Sequence, residues 1–153
     1  MSIDVYCKKE LILFSELTEK EAVLELMSGC LLQHGYTKDS YHDAIVAREK
    51  VYPTGLSGEM LGIAIPHTDI VHVIQPAICI CIFKNPVEFQ MMGGDENETV
   101  QASVVFMLAL KEPEKQLEVL QLIATILEND SYLKSILQCN TPDEVLTVLK
   151  QIA

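Results

Sequence analysis

The sequence predicts an α/β protein (α+β in some schemes): a three-layer sandwich with a mixed β-sheet flanked by helices on both faces. Two observations carry this. The runs Pro76 to Phe83 and Val100 to Leu110 are apolar almost throughout, as strands covered on both faces must be. Stretches with helical spacing of apolar residues stand before and after them, so both faces of a sheet can be covered. The expected order is β-α-α-β-β-β-α-α-α, within a single domain spanning 1–153.

Glu10 to Phe14 is a short apolar segment that reads as the first strand. Thr18-Glu19-Lys20-Glu21 has the pattern of a capping box. Val23, Leu26, Met27, Cys30 and Leu31 then form an apolar stripe, and Gly35 is the expected stop. A second helix is expected from Thr37 or Asp39 to about Lys50, with Tyr41, Ala44, Ile45 and Arg48 on its inner stripe. An inward guanidinium is costly unless it meets an acceptor or an anion. The plain alternatives are a salt bridge to Glu49 or Asp43, or an Arg reaching to water from the helix end.

Tyr52 to Gly58 reads as a turn-rich connection. Gly62 to Asp69 reads as a short strand, ended by Pro66, with His67 at its exit. Met91 to Glu98 is expected to be a flexible acidic loop, and Pro113 to break the chain after the third long strand. Gln116 to Leu127 is apolar around most of its circumference and should be well buried. Asp130 is placed to cap a short helix through Leu137. Thr141-Pro142-Asp143-Glu144 is a strong helix start, with Val145, Val148, Leu149 and Ile152 as its stripe.

The chain carries 11 basic and 22 acidic residues, a net charge of −11. That balance argues against nucleic acid and anionic membrane surfaces, and for partners with basic patches. The first ten residues lack the apolar core of a signal peptide, and no apolar run is long enough to span a bilayer. Five cysteines without a Cys-x-x-Cys pair make a poor disulfide framework, so a reducing, cytoplasmic setting is expected. Cys79 and Cys81, two apart in a strand, should both point into the core.

Of the four histidines, His34 and His42 lie near helix ends, where a surface role is the default. His67 and His72 have no metal-ligand spacing and no cysteine or carboxylate cluster beside them. No phosphate-binding glycine loop and no nucleophile elbow is present. There remain His67, Arg48 and the hydroxyls of Thr54 and Thr68. A neutral imidazole is a nucleophile, and beside a cation and hydroxyl donors it can accept a phosphoryl group. The physics permits this reading without selecting it over a loop histidine.

The run Arg48-Glu49…Pro53-Thr54-Gly55-Leu56…Gly62-Ile63-Ala64-Ile65-Pro66-His67 closely resembles the phosphorylation-site region of the fructose/mannitol (type 2) EIIA components. These belong to the bacterial phosphoenolpyruvate-dependent sugar phosphotransferase system. Tyr52-Pro53-Thr54-Gly55-Leu56 and the later Pro113-Glu114-Lys115-Gln116-Leu117 look most like the galactitol-type branch. The resemblance covers nearly the whole chain. It implies that His67 takes a phosphoryl group from phosphorylated histidine carrier protein (HPr) and passes it to a cysteine of a cognate IIB. Arg48 would hold the phosphoryl oxygens, Thr54 would lie beside the imidazole, and Glu49 would support them. The resemblance implies no cofactor, neither ATP nor metal. It also implies no direct membrane insertion, with recruitment to the membrane component IIC through IIB.

Two positions depart from the family's pattern. A small residue usually follows the active histidine, and here it is Thr68. Mannitol-type members carry a second histidine where this chain has Gln116, which would either donate a hydrogen bond to a phosphoryl oxygen or cap its helix. A second function fits the same motif: a regulatory, nitrogen-type EIIA whose phosphorylation state controls partners without sugar transport. A small-ligand-binding protein with a structural His67 is the third.

Overall fold

The computed structural model describes residues 3–152. Its strands are β1 (Ile12–Ser15), β2 (Gly55–Ser57), β3 (Gly62–Ala64), β4 (Ala77–Gln90) and β5 (Thr99–Ala109). Its helices are α1 (Lys20–Gln33), α2 (Tyr41–Val51), α3 (Pro113–Glu128), α4 (Asp130–Leu137) and α5 (Pro142–Lys150). The strands form one sheet in the order β1-β4-β5-β3-β2. β1 runs parallel to β4, and β3 parallel to β5, while β4–β5 and β2–β3 are antiparallel. The sheet is therefore mixed.

Alternation along the two long strands sorts the core into two layers. Ile78, Ile80, Ile82, Phe106 and Leu108 face α3, α4 and α5. Cys79, Cys81, Val105 and Met107 face α1 and α2. Both cysteines are fully buried, as period-two alternation requires. This is the three-layer sandwich that the two apolar runs demanded.

Several elements differ from the expected ones. A fifth strand, β2, stands between α2 and β3 in the chain order. It is three residues long in a turn-rich stretch and has no apolar run of its own, so only its pairing with β3 defines it. β4 continues past Phe83 to Gln90, because a register shift between Ile82 and Val87 absorbs the exposed Lys84, Asn85 and Pro86. α1 is not closed by the capping box: Glu19 is its N-cap and makes no side-chain cap bond. The stripe of α1 takes in Leu24 and Ser28, while Leu26 is left exposed. α2 starts at Tyr41, and Glu49 joins Tyr41 and Ile45 as its buried residues.

Pro113 opens α3 instead of breaking the chain, since proline at the first helical position gives up an N–H that has no partner anyway. α3 buries one stripe, Val119, Ile123 and Ile126, and leaves Leu117 exposed. α4 is capped by Asn129, whose side chain accepts from the Ser131 amide, so Asp130 lies inside the helix. The Thr141 cap forms as expected, accepting from the Glu144 amide. Gly35 ends the turn after α1 with φ +82°, a left-handed conformation that glycine adopts at no steric cost. Among the described residues, no helix is long and apolar enough to cross a membrane.

Candidate functional site

His67 follows β3 by three residues, and contacts with β5 fix that exit. Gly62, at the start of β3, lies so close to β5 that a Cβ there would stand 2.5 Å from Val100 Cγ1 and 2.6 Å from the Gln101 carbonyl oxygen. The Pro66 carbonyl accepts from the Leu108 amide at 2.9 Å, which ties the exit to β5. The Leu108 carbonyl in turn accepts from the Tyr41 hydroxyl of α2 at 2.6 Å. One peptide-bonded residue of β5 thus braces both α2 and the segment that carries His67.

His67 Nδ1 lies 2.8 Å from the Ile65 carbonyl oxygen. A carbonyl can only accept, so Nδ1 carries the proton and the lone pair is left on Nε2. Burial pushes the imidazole below its usual 6.5, the Ile65 carbonyl pulls it back up, and the Arg48 charge lowers it again. The net shift is downward, so the ring is neutral at pH 7.

Arg48 sits in the last turn of α2. Neither alternative, a salt bridge to Glu49 or to Asp43, is present among the described residues. Glu49 accepts the Thr54 amide on Oε2 and the Thr54 hydroxyl on Oε1, both at 2.8 Å, and Asp43 lies beside His42. Among the described residues no carboxylate lies within salt-bridge distance of Arg48, whose Nε is buried without a hydrogen-bond partner. Its guanidinium carbon stands 4.6 Å from the centre of the Tyr52 ring.

Thr54 is held between Glu49 and the backbone of Ile65. Its hydroxyl donates to Glu49 and accepts from the Ile65 amide at 3.2 Å. It is 2% exposed, and the residue it bonds, Ile65, also accepts from the imidazole. Glu49, 3% exposed, anchors that bond. Burial raises the Glu49 carboxyl above its usual value, and the two Thr54 bonds work against the rise.

Arg48, His67, Thr68 and Gln116 meet in a cleft of about 450 Å³, closed by Asp69, Ile70, Val71 and Pro113. Gln116 comes from the first turns of α3. It does not cap the helix: Glu112 is the N-cap, and the Gln116 amide bonds the Glu112 carbonyl. Its side-chain Oε1 is buried without a partner. The cleft thus holds a nucleophilic nitrogen, a guanidinium without a counter-charge and an unpaired amide, a set suited to a tetrahedral oxyanion. Thr54 and Glu49 are outside it.

A larger hollow, about 760 Å³, lies among Glu19, Glu21, Glu88 and Glu96. It contains neither histidine nor cysteine. His72 bonds the Ser40 hydroxyl at 2.8 Å and takes no part in the cleft. Among the described residues no group of three or more His, Cys, Asp or Glu side chains could hold a metal ion. By sequence Tyr52 reads as part of a turn, yet the structure sets it against Arg48. Its signal was the four-residue spacing from Arg48, the spacing of neighbours on a helix.

Comparison with known proteins bears on the family and the fold. Residues 5–152 match the family described as phosphoenolpyruvate-dependent sugar phosphotransferase system, EIIA 2. The galactitol-specific EIIA component of Escherichia coli (strain K12) is 33% identical over 103 residues, 67% of each chain. The fructose-specific EIIABC component of Bacillus subtilis (strain 168) is 34% identical over 140 residues, 89% of this chain but 21% of that protein. Among solved structures, the complex of enzyme IIAMTL and phosphorylated enzyme IIBMTL from Escherichia coli superposes with a TM-score of 0.75 and 25% identity. That match covers 94% of this chain and 97% of the other.

Proposed function

This chain belongs to the EIIA 2 family of the phosphoenolpyruvate-dependent sugar phosphotransferase system, and on that premise we propose that His67 is its phosphoryl acceptor. The observation that carries the proposal is His67 itself. Nδ1 is locked on a backbone carbonyl, and Nε2 is free and unprotonated in a cleft shared with Arg48.

The Nε2 lone pair attacks phosphorus on the phosphohistidine of HPr. A P–N bond forms as the donor's P–N bond breaks, and that electron pair returns to the donor imidazole. Arg48 binds the phosphoryl oxygens in the plane of its guanidinium, and a half-turn of the Gln116 amide presents N–H groups to the same oxygens. In such transfers the protein chiefly positions groups and neutralises charge. A cysteine thiolate of IIB then attacks phosphorus and His67 leaves as the neutral imidazole. The pairing of enzyme IIAMTL with a phosphorylated IIB supports the second step.

The 33% identity to a galactitol-specific component supports a sugar or polyol as the final acceptor. The net charge of −11 suits a donor with a basic contact face. In this reading the protein works in the cytoplasm and is recruited to the membrane component IIC through IIB.

The test is incubation with phosphoenolpyruvate, the two general phosphotransferase proteins and labelled phosphate. The label should enter wild type but not His67→Ala, and should survive base and be lost in acid, as a phosphoramidate is. Equal labelling of His67→Ala overturns the assignment. A labelled chain that passes its phosphate to no sugar-specific IIB is a regulatory EIIA.

A further inference from the structure

We infer that Tyr52 is a positioning residue for phosphoryl transfer, acting through Arg48. The inference rests on the reading of His67 as phosphoryl acceptor and extends it to a residue outside the cleft. Arg48 has to be mobile enough to grip an incoming anion yet confined enough to be found there. A carboxylate partner would confine it, but would compete with the phosphoryl group for the same N–H donors. Among the described residues it has none: Glu49, the adjacent carboxylate, is taken up by Thr54.

An aromatic ring solves the same problem differently. It attracts the guanidinium through the face of the π-system, and a guanidinium stacked flat on a ring keeps its donors free in their own plane. Tyr52 stands where that is possible. It is the residue after α2, one helical turn beyond Arg48, and its amide donates to the Arg48 carbonyl at 2.7 Å. That bond fixes the ring's origin relative to the guanidinium, and ring centre and guanidinium carbon are 4.6 Å apart. Tyr52 is 60% exposed, so core packing does not account for its position. It does not line the cleft, and therefore covers Arg48 from outside without narrowing the space for the phosphoryl group.

The experiment separates this role from docking and from folding. Phosphoramidate serves as the donor, because a small molecule has no docking surface for Tyr52 to contact. His67 Nε2 attacks the phosphorus of its N-protonated form, and the donor's P–N bond breaks with the electron pair leaving on neutral ammonia. Tyr52→Leu is expected to lower the labelling rate about fivefold, which corresponds to about 1 kcal/mol, with Tyr52→Phe restoring most of it. In an Arg48→Ala background Tyr52→Leu should have no further effect, since a residue that acts through Arg48 has nothing left to position. Urea unfolding of each variant reports whether the fold is intact.

Additive losses in the double variant, or wild-type labelling by Tyr52→Leu, overturn the inference while leaving His67 as acceptor. If the wild type fails to label from either phosphoramidate or phosphorylated HPr, it is the acceptor assignment that falls.

Discussion

Glu49 and Thr54 are joined by two hydrogen bonds of 2.8 Å, one from the Thr54 amide and one from its hydroxyl. The same hydroxyl accepts from Ile65, whose carbonyl fixes the tautomer of His67. A buried carboxylate therefore reaches the imidazole through one side chain and the backbone of one residue. Thr54→Val keeps the shape and removes the hydroxyl, leaving Glu49 Oε1 without its donor. We expect a loss of about 1–3 kcal/mol in urea unfolding, together with slower phosphoryl acceptance. Thr54→Ser should keep both. A Thr54→Val protein of wild-type stability would show the hydroxyl to be idle.

The protonation of His67 sets the pH dependence. Its folded value lies below the usual 6.5, through burial first and the Arg48 charge in the same direction. Acceptance needs the neutral ring, so the rate should be flat at neutral pH and fall only below 6.5. The stability linkage has a matching sign. As pH falls below 6.5 the unfolded chain takes up a proton that the folded chain still refuses, so stability is lost on acidification and unaffected above. Arg48→Ala removes one of the two depressing influences and should move the His67 value upward. NMR titration of the imidazole measures this directly, and a wild-type value at or above 6.5 contradicts it.

Arg48→Ala should fold, because among the described residues the side chain has no salt-bridge partner to abandon. Its transfer rate should fall about a hundredfold or more, the scale of losing charge neutralisation at the transition state. Rapid-quench transfer from phosphorylated HPr reads this. Transfer at the wild-type rate removes Arg48 from the site.

Gln116 holds a buried oxygen with no partner. Replacing an unsatisfied polar group by an apolar one of similar size is expected to be neutral or stabilising, by up to about 1 kcal/mol. Gln116→Leu should therefore melt no lower than wild type and yet transfer phosphate more slowly. A lower melting temperature would mean that the amide has a structural partner in solution.

The two long apolar runs made β4, β5 and the layered architecture legible, because a strand buried on both faces has little freedom in composition. Arg48 and His67 were legible for a related reason: each is a polar residue where the pattern calls for burial or a turn. What stayed hidden depends on pairing between distant segments. β2 exists only because β3 lies beside it. Lys84-Asn85-Pro86 reads as the end of a strand, yet the register shift carries β4 through it. The side on which the Thr54 hydroxyl falls is decided by Glu49 and Ile65. No local pattern around Thr54 records that choice.

Leu108 braces the exit of β3 with its amide and α2 with its carbonyl, and this has a bearing on synthesis. The ribosome delivers Arg48, Glu49, Thr54 and His67 well before Leu108. A nascent chain halted in the turn between β4 and β5 carries the whole recognisable motif but neither bond that holds its two halves in register. Because domains fold as units once their long-range partners emerge, competence to carry phosphate arrives late, with β5. A prematurely terminated product would display the motif and remain chemically silent.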